Sequence, residues 1–245
     1  MEQQVALEVT NVSKFFGGLK ALRNISFKVF QEETVGIIGP NGAGKTTLFN
    51  VISGFIKPDQ GEVIFKGKKL SGMRPDQICR IGLIRTFQLV QSFPRLTSLE
   101  NVMIGALSWH PDPSLARQES KQWLDFIGID RKKWDQVAKN LTLVDKKRLE
   151  LARALAANPK MILADEAMSG LTPTEITEVI RTIQKIKERG ITLLLIEHVM
   201  KVIMELSDRI IALNFGEKFA EGTPSDIKKD KTVAKAYLGE DVPIV

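Results

Sequence analysis

The sequence predicts an α/β protein with a parallel core, and three observations carry that prediction. Short apolar runs alternate with amphipathic ones along the 245 residues, where separate all-β and all-α blocks would keep them apart. One apolar run, TVGII, is followed at once by a glycine-rich turn and then a helical pattern. Between residues 88 and 158 the strand signals vanish and helix dominates, which reads as a helical subdomain inserted into the core.

In chain order, the expected strands are 6–9 (ALEV), 25–29 (ISFKV), 34–38 (TVGII), 62–65 (EVIF), 161–164 (MILA), 191–196 (ITLLLI) and 210–214 (IIALN). The first and fourth lie among short strands and turns, so an antiparallel lobe is expected to flank the parallel core. The expected helices are 45–53, 117–127, 143–157, 173–189 and 198–206, each with an amphipathic pattern. At 143–157 the helix has a visible start, because Thr142 and Asp145 match the Ser/Thr-x-x-Asp/Glu box. No internal repeat or low-complexity linker interrupts the pattern.

Composition restricts the function. A chain with 43% hydrophobic and 26% charged residues has the makeup of a folded globular protein. Its longest apolar stretch, 191–196, is far short of the roughly 20 residues that span a bilayer. The start MEQQVALEVT lacks a basic segment followed by an apolar one, so no secretory signal is expected and the cytoplasm is the expected compartment. The single cysteine, Cys79, allows neither an internal disulfide nor a cysteine metal cluster. The formal net charge is +6, but the basic triplets at 131–133 and 146–148 carry no interleaved aromatics that would stack bases. They read as solvated helix faces, and no nucleic-acid partner is expected.

The strongest chemical signal is Gly39-Pro40-Asn41-Gly42-Ala43-Gly44-Lys45-Thr46, followed by Thr47. Glycines let the backbone wrap an anion closely, so that its amides and the helix N-terminus face phosphate. In that arrangement Lys45 bridges the β- and γ-phosphates and Thr46 ligates Mg²⁺. Such a loop needs a carboxylate at the end of a neighbouring strand for the metal, and MILADE supplies Asp165 for it. Glu166 then stands where a general base for water belongs. The run ITLLLIE brings His198 to the same strand edge.

Through these residues the chain resembles the ATP-binding subunits of ABC transporters along essentially its whole length. The phosphate loop, Thr86-Phe87-Gln88, LTLVDKKRLELARAL, ADEAMSGL and IEHVM occur in that family's order and spacing. FGGLKAL, RTFQLVQSFPRLTSLENV, IEHVMKVIMELSDRI, EGTPSDI and AYLGE are similar in particular to branched-chain amino acid uptake ATPases of the LivG type.

The resemblance implies a P-loop NTPase core with a RecA-like parallel sheet, an antiparallel β lobe and an inserted helical subdomain. One ATP-binding domain would span 1–245, with the helical insertion at about 88–158 and a C-terminal tail at about 220–245. ATP and Mg²⁺ are the implied ligands. Phe16 matches the aromatic that stacks on adenine, with Phe15 as its competitor. Residues 39–47 hold the phosphates. Gln88 matches the glutamine that reaches Mg²⁺ and the attacking water, Glu166 the catalytic glutamate, and His198 the residue at the γ-phosphate. Exposed Phe93 and Leu96 would border a groove for a helix of a membrane subunit, unless they are ordinary core.

The implied assembly is peripheral, on the cytoplasmic face of the membrane, with permease chains and, indirectly, a binding protein. In this family the partner's signature, usually LSGGQ, completes each ATP site. Here the aligned residues are Leu141, Thr142, Leu143, Val144 and Asp145. Thr142 keeps the hydroxyl, Val144 would intrude, and Asp145 would set a like charge against phosphate. The loop ending Ser169-Gly170-Leu171-Thr172 likewise lacks the usual Asp or Asn. Elements acting in cis are intact and those given in trans are not, which points to an asymmetric pair with a different ATPase chain, of the LivF type; the alternative is a functional homodimer whose helix amides persist whatever the side chains. The competing readings are a transporter of another cargo such as a lipid, a regulatory ATP-binding module with little turnover, and an ATPase acting on nucleic acid.

Overall fold

A computed structural model describes residues 4–88 and 91–238. Its strands are β1 (Val5–Phe16), β2 (Leu19–Phe30), β3 (Thr34–Ile38), β4 (Gln60–Phe65), β5 (Lys68–Lys69), β6 (Leu83–Arg85), β7 (Met161–Asp165), β8 (Thr192–Ile196), β9 (Arg209–Asn214) and β10 (Glu217–Gly222). The α-helices are α1 (Lys45–Ile52), α2 (Pro75–Arg80), α3 (Ser98–Leu107), α4 (Pro113–Ile127), α5 (Leu143–Ala156), α6 (Pro173–Lys187), α7 (Met200–Leu206), α8 (Pro224–Lys229) and α9 (Lys231–Leu238).

The six-stranded sheet runs β10-β9-β3-β8-β7-β6. Strands β9, β3, β8, β7 and β6 pair in parallel, and β10 closes one edge antiparallel to β9. A separate antiparallel sheet, β2-β1-β4-β5, forms the expected lobe. Every residue of β3, β7 and β8 is buried, as strands covered on both faces must be. Their side chains divide alternately between two cores: Met161 and Leu163 pack with the β lobe, and Ile162 and Ala164 with the helices.

Strand β8 lies between β3 and β7, so the strand carrying Asp165 is not the direct neighbour of the one feeding the phosphate loop, contrary to the expectation from sequence. The intervening strand, which ends at Ile196, delivers Glu197 and His198. Helix α7 starts at Met200, later than the expected 198, which leaves His198 on the loop.

Several elements have little or no signature in the sequence. Three-residue β6 owes its identity to pairing with β7. Strand β10, EKFAEG, alternates only between exposed and half-buried positions, the weak pattern of an edge. The start of α3 has a local signal, since Thr97 and Glu100 form a full capping box.

Candidate functional site

The carboxyl edge of the parallel strands gathers the chemistry, the place where open α/β sheets bind ligands. After β3 the chain turns through Gly42 and Gly44 at φ 81° and 102°, conformations that side chains resist. A Cβ at Gly44 would stand 2.6 Å from the carbonyl oxygen of Ala21, and one at Gly39 would stand 2.2 Å from that of Leu213. The loop is therefore pressed against β2 and β9, and these two glycines are sterically required.

The Lys45 ammonium lies folded into this loop, donating to the carbonyls of Gly39 at 2.7 Å and Pro40 at 3.1 Å. Burial lowers its pKa, while the charges of Glu166 and Asp165 oppose that effect. Residues 41–47 line a cavity of about 350 Å³ together with Phe16, Glu166 and His198. Phe16 is exposed at the end of β1 and flanks this cavity, whereas Phe15 is half-buried and does not line it. Of the two candidate aromatics, the geometry thus favours Phe16.

Below the loop, β7 ends in Asp165. One carboxylate oxygen accepts from the Arg85 guanidinium at 2.8 Å, and the other is buried without a hydrogen-bond partner. Burial raises the Asp165 pKa, with the Arg85 hydrogen bond opposing. An orphaned acceptor of this kind is costly unless a cation or water meets it. Arg85 is itself held by Asn50 and Ser53 and faces the rings of Phe49, Phe55 and Phe87.

Glu166 comes next at φ 49°, left-handed for a non-glycine residue, the kind of strain that concentrates at functional sites. Both of its carboxylate oxygens are engaged. Gln88 donates its side-chain amide to one at 2.6 Å, and His198 Nε2 meets the other at 2.9 Å. The structure thus brings Gln88, Glu166 and His198 into direct contact. It does not direct the Gln88 amide to Asp165, another of the residues expected at Mg²⁺.

Helix α5 supplies residues that sequence reasoning missed. Buried Lys147 donates to the backbone carbonyls of Gln88 at 3.0 Å and Glu166 at 3.3 Å. Glu150 accepts from the Phe87 amide, and Arg153 donates to the Gln91 carbonyl. Positions 147, 150 and 153 share one helix face, so α5 grips the Gln88 segment from the helical side. The available signal was three charged residues at helical spacing interleaved with the apolar positions Leu149, Leu151 and Leu155. Burial pushes the Lys147 pKa down and the Glu150 carboxyl up. Glu197, also missed, accepts from the Met168 amide, and burial raises its pKa to about 7.

The start of α5 is different. Thr142 caps it by accepting from the Asp145 amide at 3.2 Å, and its hydroxyl donates to the Asp145 carboxylate at 2.8 Å. That carboxylate is buried and paired with Lys133 at 2.6 Å. The expectation that Asp145 presents a free like charge is therefore corrected: its charge turns inward to a cation. Leu143 is exposed and Val144 half-buried against the helical core. Thr142 does not line the cavity of its own chain. Nearby, Phe93 is exposed as expected, but Leu96 is half-buried; Leu89 and Val90 lie outside the described residues.

A family model described as ABC transporter matches residues 22–169. The chain belongs to the ABC transporter ATP-binding family. A second model, branched-chain amino acid ATP-binding cassette transporter, matches residues 217–243 of this cassette. The high-affinity branched-chain amino acid transport ATP-binding protein LivG of Escherichia coli is 38% identical over 97% of the chain and 99% of its own length. Among solved structures, an ABC transporter cassette in its ADP conformation superposes with a TM-score of 0.87 at 32% identity, covering 97% of this chain and all of that one. A dimeric cassette in a post-hydrolysis state with ADP and Pi gives 0.81 at 28%, covering 89% and 98%. The cassette is a LivG-like ATPase whose hydrolysis is coupled to transport.

Proposed function

We propose that this cassette powers import of branched-chain amino acids from the cytoplasmic face of the membrane, paired with a second, different ATPase chain. The cargo reading rests on the LivG-like relatives and the matched C-terminal segment. Among the described residues no helix is long and apolar enough to cross a membrane, so separate permease chains would carry the substrate and a binding protein would deliver it.

ATP is the substrate, and the residues present fit it. The glycine turns let the backbone wrap phosphate where a Cβ at Gly39 or Gly44 would collide, and Lys45 stands ready to exchange two carbonyls for phosphate oxygens. Mg²⁺ would be held by Thr46, Asp165 and Gln88, and would neutralise charge on the departing phosphate. The unpartnered Asp165 oxygen supports this assignment. Gln88 donates to Glu166 through its amide nitrogen, which leaves the amide oxygen for Mg²⁺. Glu166, with its oxygens oriented by Gln88 and His198, would accept a proton from water.

A single observation carries the asymmetric pairing. The strand-edge cluster is complete, while the α5 start, which in the family serves the partner's site, has Leu143 and Val144 in place of glycines. ATP on this chain's loop would turn over against an intact partner signature, and ATP on the partner's loop would be held. The test is to co-purify the transporter and compare Lys45→Ala here with the equivalent change in the other ATPase chain. The expected result is a loss of ATPase of at least about a hundredfold for Lys45→Ala, and a smaller loss for the partner change. Equal losses, or recovery of this chain only as a homodimer, would sink the proposal.

A further inference from the structure

The hairpin joining β9 and β10 turns through Phe215 and Gly216, both left-handed at φ 47° and 79°. Two consecutive positive φ values make a type I′ arrangement, for which Asn, Asp or Gly is the favoured first residue. A bulky aromatic there opposes local preference. Packing does not compensate, because Phe215 is 77% exposed, more than any other large apolar side chain among the described residues. Neither turn chemistry nor the core accounts for this residue.

Its location offers a reason. Phe215 lines the same cavity as Phe16 and residues 41–47. The hairpin tip is fastened to the phosphate loop, since Gly216 donates its amide to the Ala43 carbonyl at 3.1 Å and accepts from the Arg23 amide at 2.7 Å. A Cβ on Gly216 would stand 2.8 Å from the carbonyl oxygen of Ala21, so the tip is also held close to β2. The ring therefore projects from a strained backbone whose position is tied to the loop that holds phosphate.

We propose that Phe215 is a second aromatic wall of the nucleotide site, contributing with Phe16 a π-surface that binds the purine base. This rests on reading the cavity as the ATP site. A planar base gains from aromatic contact whatever its hydrogen-bonding edge. The role accounts for an exposed phenylalanine kept in a conformation that suits asparagine.

Calorimetric titration of the full-length chain with ATP and with inorganic tripolyphosphate tests this. Phe215→Asn retains the turn preference and removes the ring; its Kd for ATP should rise about tenfold, with that for tripolyphosphate unchanged. Phe215→Tyr should bind like the wild type, and Phe215→Leu, which keeps apolar bulk without a π-face, like Phe215→Asn. Unchanged ATP affinity in Phe215→Asn overturns the proposal, as do equal losses for both ligands, which would mean a displaced loop. Unchanged affinity with loss of co-purifying permease would make the ring a docking contact and overturn it equally. If the wild type itself bound no ATP, the reading of the cavity would fail first.

Discussion

Two polar regions of this cassette contrast with each other. At the strand edge, polar groups are left ready: an unpartnered Asp165 oxygen, a Lys45 ammonium resting on carbonyls, and a strained Glu166 gripped by two exchangeable donors. At the start of α5 the polar groups are spent on one another, with Thr142, Asp145 and Lys133 forming a closed set. Helix-start amides beside a hydroxyl occur in both places, but no side chain caps α1 after Gly44, whereas Thr142 caps α5. What separates them is the one buried acceptor left over, since Asp165 keeps an unpartnered oxygen while Asp145 is met by both Thr142 and Lys133.

The contrast can be broken most directly at Glu166. Glu166→Gln keeps the size and one acceptor oxygen but loses the base, and turnover of the assembled transporter should fall about 10²- to 10⁴-fold, with ATP binding retained. A change smaller than tenfold would mean that the strand edge is no more committed to catalysis than the cap.

A second test concerns the charge stored at that edge. Burial holds the Glu197 carboxyl up at about 7 against an ordinary 4.5, in the company of Glu166 and Lys147. The folded state thus binds a proton that the unfolded state has released. Stability is unpenalised below pH 4.5, falls as pH rises from there, and carries the full cost above about pH 7. That cost is about 3 kcal/mol at about 1.4 kcal/mol per pH unit. Glu197→Gln should remove this slope, so urea unfolding of the two proteins should diverge progressively between about pH 4.5 and pH 7 and differ by a constant amount above that. Parallel curves would show that the edge holds no such strain.

The smallest expected effect sharpens the other side. Leu143→Gly with Val144→Gly in the assembled complex should raise turnover severalfold by reopening the α5 start, at a cost of about 1 kcal/mol per glycine in helix propensity and a further loss of packing where Val144 meets the helical core. Unchanged turnover, measured as phosphate release, would show that Leu143 and Val144 are neutral.

Most of the residues gathered at the strand edge could be read from the chain, because they sit directly at the ends of buried strands. TVGII, MILA and ITLLLI announce themselves by apolar content, and the residues just beyond each of them land on one sheet edge. Arg85, Lys147 and Glu197 were not legible. Each acquires its role from a partner far away in sequence: Arg85 from Asp165, Lys147 from the Gln88 and Glu166 carbonyls, Glu197 from the Met168 amide. A charged residue in a helical pattern looks solvated until the fold buries it. Asp145 is the same lesson in reverse, since in sequence it looked like a charge facing outward, yet Lys133 neutralises it within the helical region.

The sequence by itself determined the fold class, the glycine-rich loop, the residues that meet at the strand edge and the departure at Leu143 and Val144, because local pattern and spacing suffice for these. Tertiary structure alone decided that β8 separates β3 from β7, that Phe16 rather than Phe15 reaches the cavity, and that Phe215 joins it there. It also decided that Gln88 rests on Glu166. These outcomes depend on strand order, burial and competition among hydrogen-bond partners, which exist only once distant segments are packed together.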